Sequence, residues 1–257
     1  MSSPTTAPAP ATVWGKQLAW ITGFALLAMA ILAPLALYGV LGSLIVPGDP
    51  AATVANITES EGLFRAGITA FLVVIVLDVL IAWALYKLLR PVNSDVSLLT
   101  AWLRVAFAAV FASALIGLVD AAQLVGGAEE SGLAAEQIQA LAASSVASFD
   151  NGWIGVGLSI FAFHLFGLAY LLIKSVNAPA WLGILLIVAG GGYLVDGVGM
   201  ILVPDYTWTV GAFTFIGEAV LIGWVFWRAI KGFAPESDSP VARAADAGQV
   251  QPAPLAS

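Results

Sequence analysis

Six long apolar runs, separated by short polar segments, constrain this 257-residue chain more than any other feature. Each run can cross about 30 Å of hydrocarbon at about 1.5 Å per residue of α-helix. Charged residues make up 10% of the chain and hydrophobic residues 60%, which is far from the composition of a soluble domain. The alternating strands of a membrane β-barrel are missing from the sequence. The sequence therefore predicts an all-α, polytopic membrane protein.

The predicted transmembrane domain is flanked by two polar tails. Residues 1–13 and 234–257 are rich in Pro and Ala and are predicted to be disordered. Residues 14–233 form the predicted six-helix domain. The six predicted helices cover approximately residues 18–46, 66–89, 98–125, 153–173, 180–203 and 208–230.

The longest loop of the predicted topology, residues 126–152, has a helical pattern of its own. Its apolar residues recur at near-helical spacing, which predicts a short amphipathic helix. These residues are Leu133, Ile138, Leu141 and Val146. We expect this helix to lie on the outer membrane surface or to cover the bundle.

The basic residues predict the orientation in the membrane. Arg65 is alone at one set of helix ends, and six basic residues flank the other set. By the positive-inside rule the second set is cytoplasmic, so both termini are predicted to lie inside the cell. The Ala- and Gly-rich composition is typical of bacteria, so we expect the cytoplasmic (inner) membrane. The six basic residues are Lys16, Lys87, Arg90, Lys174, Arg228 and Lys231.

Ionisable side chains occur inside four of the predicted helices. At about 1.5 Å per residue they lie roughly 15–18 Å from the outer end, close to the bilayer midplane. They are Asp78, His164, Tyr193 and Glu218. Asp196 lies one helical turn nearer the outside than Tyr193. Polar residues at this depth are costly and usually functional, so these five are the candidate ligand- or proton-binding residues.

Few basic residues are available to neutralise these acids. Arg65 is expected to pair with Asp120 near the outer end. Arg104 lies roughly 9 Å inside the inner end, and we expect it to anchor the inner face by extending toward the cytoplasm. The acids of the midplane would then face His164 alone, and either protonation or a bound cation would have to compensate their charge.

The fifth run contains the segment "GGGYLVDGVG", residues 190–199, in which glycines surround Asp196. Two interpretations remain open. Small residues allow close packing of neighbouring membrane helices. The same glycines could instead permit local unwinding, which would expose carbonyl groups to a ligand.

Several chemistries are excluded or weakened by the residue types present. The chain has no cysteine, which excludes disulfides and thiol catalysis. No phosphate-binding loop is present, and nucleic acid is not an expected partner. With one histidine in the chain, a metal site would need Asp78, His164, Asp196 and Glu218 as ligands. The sequence identifies no cofactor.

Several segments together resemble the bacterial membrane proteins grouped as domain of unknown function 4386. They are "FRAGITAFLVVIVLDVLIAWALYKLLRPV", "LLTAWLRVAFAAVFA", "FAFHLFGLAYLLIKS", "APAWLGILLIVAGGGYLVDGVGMILVPDY" and "AFTFIGEAVLIGWVFWR". The order and spacing of the acids, the arginines and the histidine carry the resemblance, which covers roughly residues 15–232. It implies a six-helix membrane protein and implies no particular chemistry.

Three functions are compatible with these observations. We favour a membrane protein, not an enzyme, in which the midplane residues bind protons, a cation or a small polar ligand. The first alternative is an intramembrane metal-dependent hydrolase acting on a lipid-like substrate. The second is an accessory or structural membrane protein in which the polar residues only specify helix packing. In each case the lipid bilayer is the expected partner.

Overall fold

The computed structural model describes residues 10–234 and residue 236, and these residues form α-helices and loops with no strand. The rest of the predicted disordered tails lies outside the described residues. The first helix begins at Pro10, inside the segment predicted to be disordered. Six helices are long and apolar enough to cross a membrane. They are α1 (Gly15–Leu44), α2 (Glu61–Leu89), α3 (Ser94–Gly126), α4 (Ala135–Lys174), α5 (Ala180–Leu202) and α6 (Gly211–Lys231).

The six helices form a closed bundle in which chain neighbours are spatial neighbours. Each helix packs against the next one along the chain, and α6 packs back against α1. The rings of Trp20, Phe24 and Phe226 join α1 to α6, and Gly23 leaves space for the Phe226 ring. Because the ring of helices is closed, side chains on the inner faces of all six can meet in one interior.

The α4 helix is longer than the sequence pattern predicted. It runs for 40 residues, about twice the length needed to cross the hydrocarbon. Its first part, Ala135–Asp150, coincides with the predicted amphipathic helix and continues into the membrane span without a loop. This part packs along the end of α3, where Gly117 lies directly against the Ser145 carbonyl. The α3–α4 hairpin and the helix Pro50–Glu59 together form a layer at the end of the bundle opposite the start of α1.

Two segments have the wider π-helical hydrogen bonding. Residues Leu35–Leu41 continue α1 directly after Pro34, where the missing N–H of proline interrupts the normal ladder. Residues Asn151–Leu158 join the two α-helical parts of α4 and contain three glycines. π-helical segments inside α-helices are frequent at functional sites.

The glycine-rich segment of α5 is continuously helical. Gly190 lies against the Phe166 ring and the Ala162 carbonyl of α4, so any side chain here would collide with backbone. Gly197 is similarly close to Ser159 and the Gly155 carbonyl. The expected alternative of local unwinding around Asp196 does not occur, since the helix extends from Ala180 to Leu202. These glycines therefore allow close contact between α4 and α5.

Candidate functional site: a buried polar cluster

A buried ion pair joins α2 to α3 in the bundle interior. Arg104 Nη2 lies 2.7 Å from Asp78 Oδ1, and both residues are 1% exposed. The Arg104 guanidinium also lies over the Phe161 ring, 5.2 Å from its centre. Met29 of α1 contributes a sulfur atom 3.7 Å from Nη2. A charge pair this deeply buried is strongly coupled, because loss of either partner leaves an uncompensated charge.

His164 of α4 completes this arrangement as a neutral residue. Its Nδ1 lies 2.8 Å from the carbonyl oxygen of Thr100, so Nδ1 carries the proton and donates it. Its Nε2 lies 3.2 Å from Arg104 Nη1 and accepts a hydrogen bond from that donor. A second proton on Nε2 would point at the N–H group of Arg104 from which Nε2 accepts its hydrogen bond. Both ring nitrogens are therefore already engaged.

A second pair of polar side chains, Tyr193 and Glu218, lies close to Phe161. The Phe161 ring stacks on His164 at 5.3 Å and lies 6.0 Å from the Tyr193 ring of α5. The Tyr193 hydroxyl donates a 2.5 Å hydrogen bond to Glu218 Oε1 of α6. Tyr193 and Glu218 are half-buried, whereas Asp78, Arg104 and His164 are fully buried. Together with Thr100, these residues bring polar groups from five of the six helices into the bundle. We use the name polar cluster for Asp78, Thr100, Arg104, His164, Tyr193 and Glu218.

Some polar atoms of the cluster have no hydrogen-bond partner among the described residues. They include Asp78 Oδ2, Thr100 Oγ1 and Arg104 Nε, all of them buried. Buried polar atoms in folded proteins are normally satisfied by protein, water or ligand. These three atoms are therefore exceptions to that rule within the described residues.

Asp196 is not part of the polar cluster, although the sequence places it only one turn from Tyr193. Its Oδ1 accepts hydrogen bonds from the Tyr206 hydroxyl and the Val210 amide, each at 2.8 Å. Its Oδ2 accepts one from the Gly211 amide at 2.6 Å. Partial burial raises the pKa of the Tyr206 phenol, and the hydrogen bond to Asp196 raises it further, so this phenol stays a donor. Asp196 thus fixes the loop 203–210 to the start of α6.

Arg104 corrects one expectation from the sequence. It does not extend to the end of the bundle, because it lies on the buried stripe of α3 with Thr100, Phe107 and Phe111. On that stripe it contacts Asp78 of the facing helix, so Asp78 does not depend on His164 for a basic partner.

The expected pair of Arg65 with Asp120 is also not observed among the described residues. Arg65 Nε instead lies 2.7 Å from Glu61 Oε1, one turn earlier on the same helix. Asp120 is exposed. Arg65 pairs with Glu61 because an i, i+4 contact requires no approach of a second helix.

The donor groups do not assemble into a metal centre. Among residues 10–234 and 236, no three His, Asp or Glu side chains come together as a ligand set. Asp196 is held by loop donors, and His164 has no free nitrogen. Of the carboxylates proposed as metal ligands from sequence, Asp78 contacts Arg104, Glu218 contacts Tyr193 and Asp196 contacts Tyr206.

Fold and site together define a class: a six-helix membrane protein with a buried ion pair and a separate tyrosine–glutamate pair in its interior. The family model described as "Domain of unknown function (DUF4386)" matches residues 21–232. The chain therefore belongs to this family, as its sequence resemblance indicated.

One similar protein comes from Archaeoglobus fulgidus and is described as an uncharacterized protein. It is 33% identical over 165 residues, which cover 64% of this chain and 83% of the relative. No solved structure matches the chain. These similarities show the family and leave the chemistry to be inferred from the site.

Proposed function

We propose that this protein binds one proton or one small cation at Glu218, next to the Asp78–Arg104 ion pair. The single observation that carries the proposal is the charge composition of the polar cluster. It contains two carboxylates, Asp78 and Glu218, but a single guanidinium. Arg104 is in contact with Asp78, so Glu218 is the acid left without a basic partner in that cluster.

An uncompensated carboxylate inside a membrane protein is energetically costly. The hydrogen bond from Tyr193 lowers this cost but supplies no charge. His164 supplies none either, because its hydrogen bonds fix it in the neutral form. A proton or a cation at Glu218 restores neutrality. The unpartnered atoms of Asp78 and Arg104 nearby provide further contacts for water or a small polar ligand.

The pH dependence of stability tests this proposal. A folded state that keeps a proton on Glu218 binds more protons at neutral pH than the unfolded chain, whose glutamates are ionised there. Stability should therefore fall as pH rises, by at most about 1.4 kcal/mol per pH unit. If Glu218 binds a cation instead, the thermal midpoint should rise with the concentration of that cation at constant pH. The measurement is thermal unfolding in detergent across pH and across alkali-metal salts.

Glu218→Gln is the decisive variant, because it is neutral and close in size to the wild-type residue. It should remove the dependence on pH or on the cation. Glu61→Gln is the matched control, since Glu61 is an exposed acid in the surface pair with Arg65. A wild-type profile that Glu218→Gln leaves unchanged would contradict the proposal. The neighbouring groups Asp78, Arg104 and Tyr193 remain in all three proteins.

We also propose that both termini face the cytoplasm, in the inner membrane of a prokaryotic cell. The basic residues supporting this orientation lie at one end of the bundle, where Lys16 Nζ reaches the Ile230 carbonyl at 3.1 Å. Positive charge at one set of helix ends favours retention of that end inside.

Single cysteines at two exposed serines test the orientation. The chain has no cysteine of its own, and Ser94 and Ser131 are exposed near opposite ends of α3. In intact cells, Ser131→Cys should react with a membrane-impermeant maleimide, whereas Ser94→Cys should react only after lysis. The reverse pattern of labelling would place both termini outside.

A further inference from the structure

A groove of about 670 Å³ lies at the basic end of the bundle, and no residue of the polar cluster lines it. One wall is the turn before α5 and the other is a face of α6. The volume falls within the range of about 300–1,000 Å³ that is typical of small-molecule sites. The lining residues are Val176, Asn177, Ala178, Pro179, Trp181, Val220, Gly223, Trp224, Trp227 and Arg228.

The α6 wall is an apolar stripe that ends at a positive charge. Val220, Gly223, Trp224 and Trp227 follow the i, i+3, i+4, i+7 spacing of one helix face. Arg228 comes directly after them, about 12 Å along the helix axis from Val220. The groove is therefore apolar toward the membrane centre and basic toward the membrane surface.

Arg228 is held in a fixed orientation. Its Nε donates to the Asn177 carbonyl at 2.7 Å, and its Nη2 donates to Asn177 Oδ1 at 2.6 Å. Its Nη1 donates to the Gly232 carbonyl at 3.1 Å. The guanidinium also lies over the rings of Trp227 and Phe233. A guanidinium has five N–H donors, so two of them have no hydrogen-bond partner among the described residues.

We propose that this groove binds an anionic phospholipid from the bilayer, with the lipid phosphate at Arg228 and an acyl chain along the α6 stripe. A preorganised guanidinium is well suited to phosphate because it presents planar, paired donors. Lys16, Lys174 and Lys231 lie at the same end of the bundle and add positive charge, which favours an anionic headgroup. The negative charge of Glu236 also lies beside Asn177, but this carboxylate already accepts hydrogen bonds from Ser175 and Asn177.

The groove walls also fit a lipid at the membrane surface. Trp181 and Trp227 are 54% and 49% exposed, and tryptophan is enriched at this level of membrane proteins. A Cβ added to Gly223 would meet no atom within 4 Å, so this glycine keeps the groove open. Filling it with a larger side chain would obstruct the acyl chain without contacting the Arg228 hydrogen bonds.

Native mass spectrometry of the purified full chain tests the proposal. The protein is titrated with phosphatidylglycerol or with phosphatidylcholine of the same acyl chains. The wild type should retain one phosphatidylglycerol in clear preference to phosphatidylcholine. Gly223→Leu should weaken phosphatidylglycerol binding by about tenfold. Arg228→Gln should abolish the preference between the two lipids.

Gly191→Leu is the matched control, because a Cβ there also meets open space and Gly191 lies outside the groove. It should bind phosphatidylglycerol as the wild type does. Equal retention of both lipids by the wild type would overturn the proposal. So would unchanged phosphatidylglycerol binding in Gly223→Leu, a variant that keeps Arg228 and its hydrogen bonds intact.

Discussion

Replacing Asp78 with leucine should destabilise the protein by about 3–5 kcal/mol, because it leaves the buried Arg104 guanidinium without its counter-ion. Both residues are 1% exposed, so water cannot take over the role of the lost carboxylate. Arg104→Met should lower the stability by a comparable amount, because it leaves the Asp78 carboxylate buried without a counter-ion. The measurement is the free energy of unfolding in mixed detergent micelles, followed by circular dichroism.

The double variant Asp78→Leu, Arg104→Met is the control for this prediction. Replacing both partners of a buried ion pair with apolar residues is often neutral or even stabilising. The double variant should therefore recover most of the stability that either single variant loses, which gives a large coupling energy in a double-mutant cycle. Single variants that cost under about 1 kcal/mol, or losses that simply add, would contradict a tightly coupled pair.

The second large effect is expected at Gly190 of α5, and its neighbour Gly191 provides the control. Gly190→Ala should destabilise the bundle by about 1–3 kcal/mol through overpacking. The new methyl group would lie 2.7 Å from the Phe166 ring and 3.0 Å from the Ala162 carbonyl of α4. The carbonyl belongs to the backbone of a packed helix, so relief requires α4 and α5 to move apart. Unfolding in detergent provides the measurement.

Gly191→Ala should behave in the opposite way. No atom lies within 4 Å of a Cβ at Gly191, and alanine is the better helix former by about 0.8–1.0 kcal/mol. This variant should be neutral or slightly stabilising. Equal effects at the two positions would mean that helix propensity, and not contact with α4, determines stability in this segment.

The membrane architecture could be predicted from sequence because apolar runs of this length have few alternatives. The helix ends were less predictable. For example, the structure extends α4 back to Ala135, while the apolar pattern starts at Trp153. The sequence predicted the amphipathic first part of α4 as a separate helix, but in the structure it packs against α3 and continues into the span without a break. Hydropathy does not record that kind of contact.

The polar cluster was partly predictable from its cost. Asp78, His164, Tyr193 and Glu218 stand out because ionisable groups are rare in apolar helices. The role of Arg104 was missed because depth alone suggested that it could reach the inner surface. One signal was present, since Thr100, Arg104, Phe107 and Phe111 follow helical spacing on one face.

Asp196 could not be separated from the cluster by sequence. It lies one turn from Tyr193 along α5, which gives it nearly the same depth. Its partners are Tyr206, the Val210 amide of the loop before α6 and the Gly211 amide at the start of α6. Hydrogen bonds from backbone amides cannot be predicted from residue types. The path of the loop also depends on the packing of Gly199 against Tyr206 and of Gly211 against Tyr193.

Infrared spectroscopy of the reconstituted protein tests most directly whether Glu218 is neutralised by a proton or a cation. A protonated carboxyl group has a C=O stretching band that is resolved from the amide bands. At neutral pH without alkali-metal ions, the wild type should show this band and Glu61→Gln should keep it. Glu218→Gln should lose it, and any cation that binds at Glu218 should abolish it in the wild type on addition. If the band is absent from the wild type under these cation-free conditions, or is unchanged in Glu218→Gln, then Glu218 does not hold the proton or cation site proposed for it.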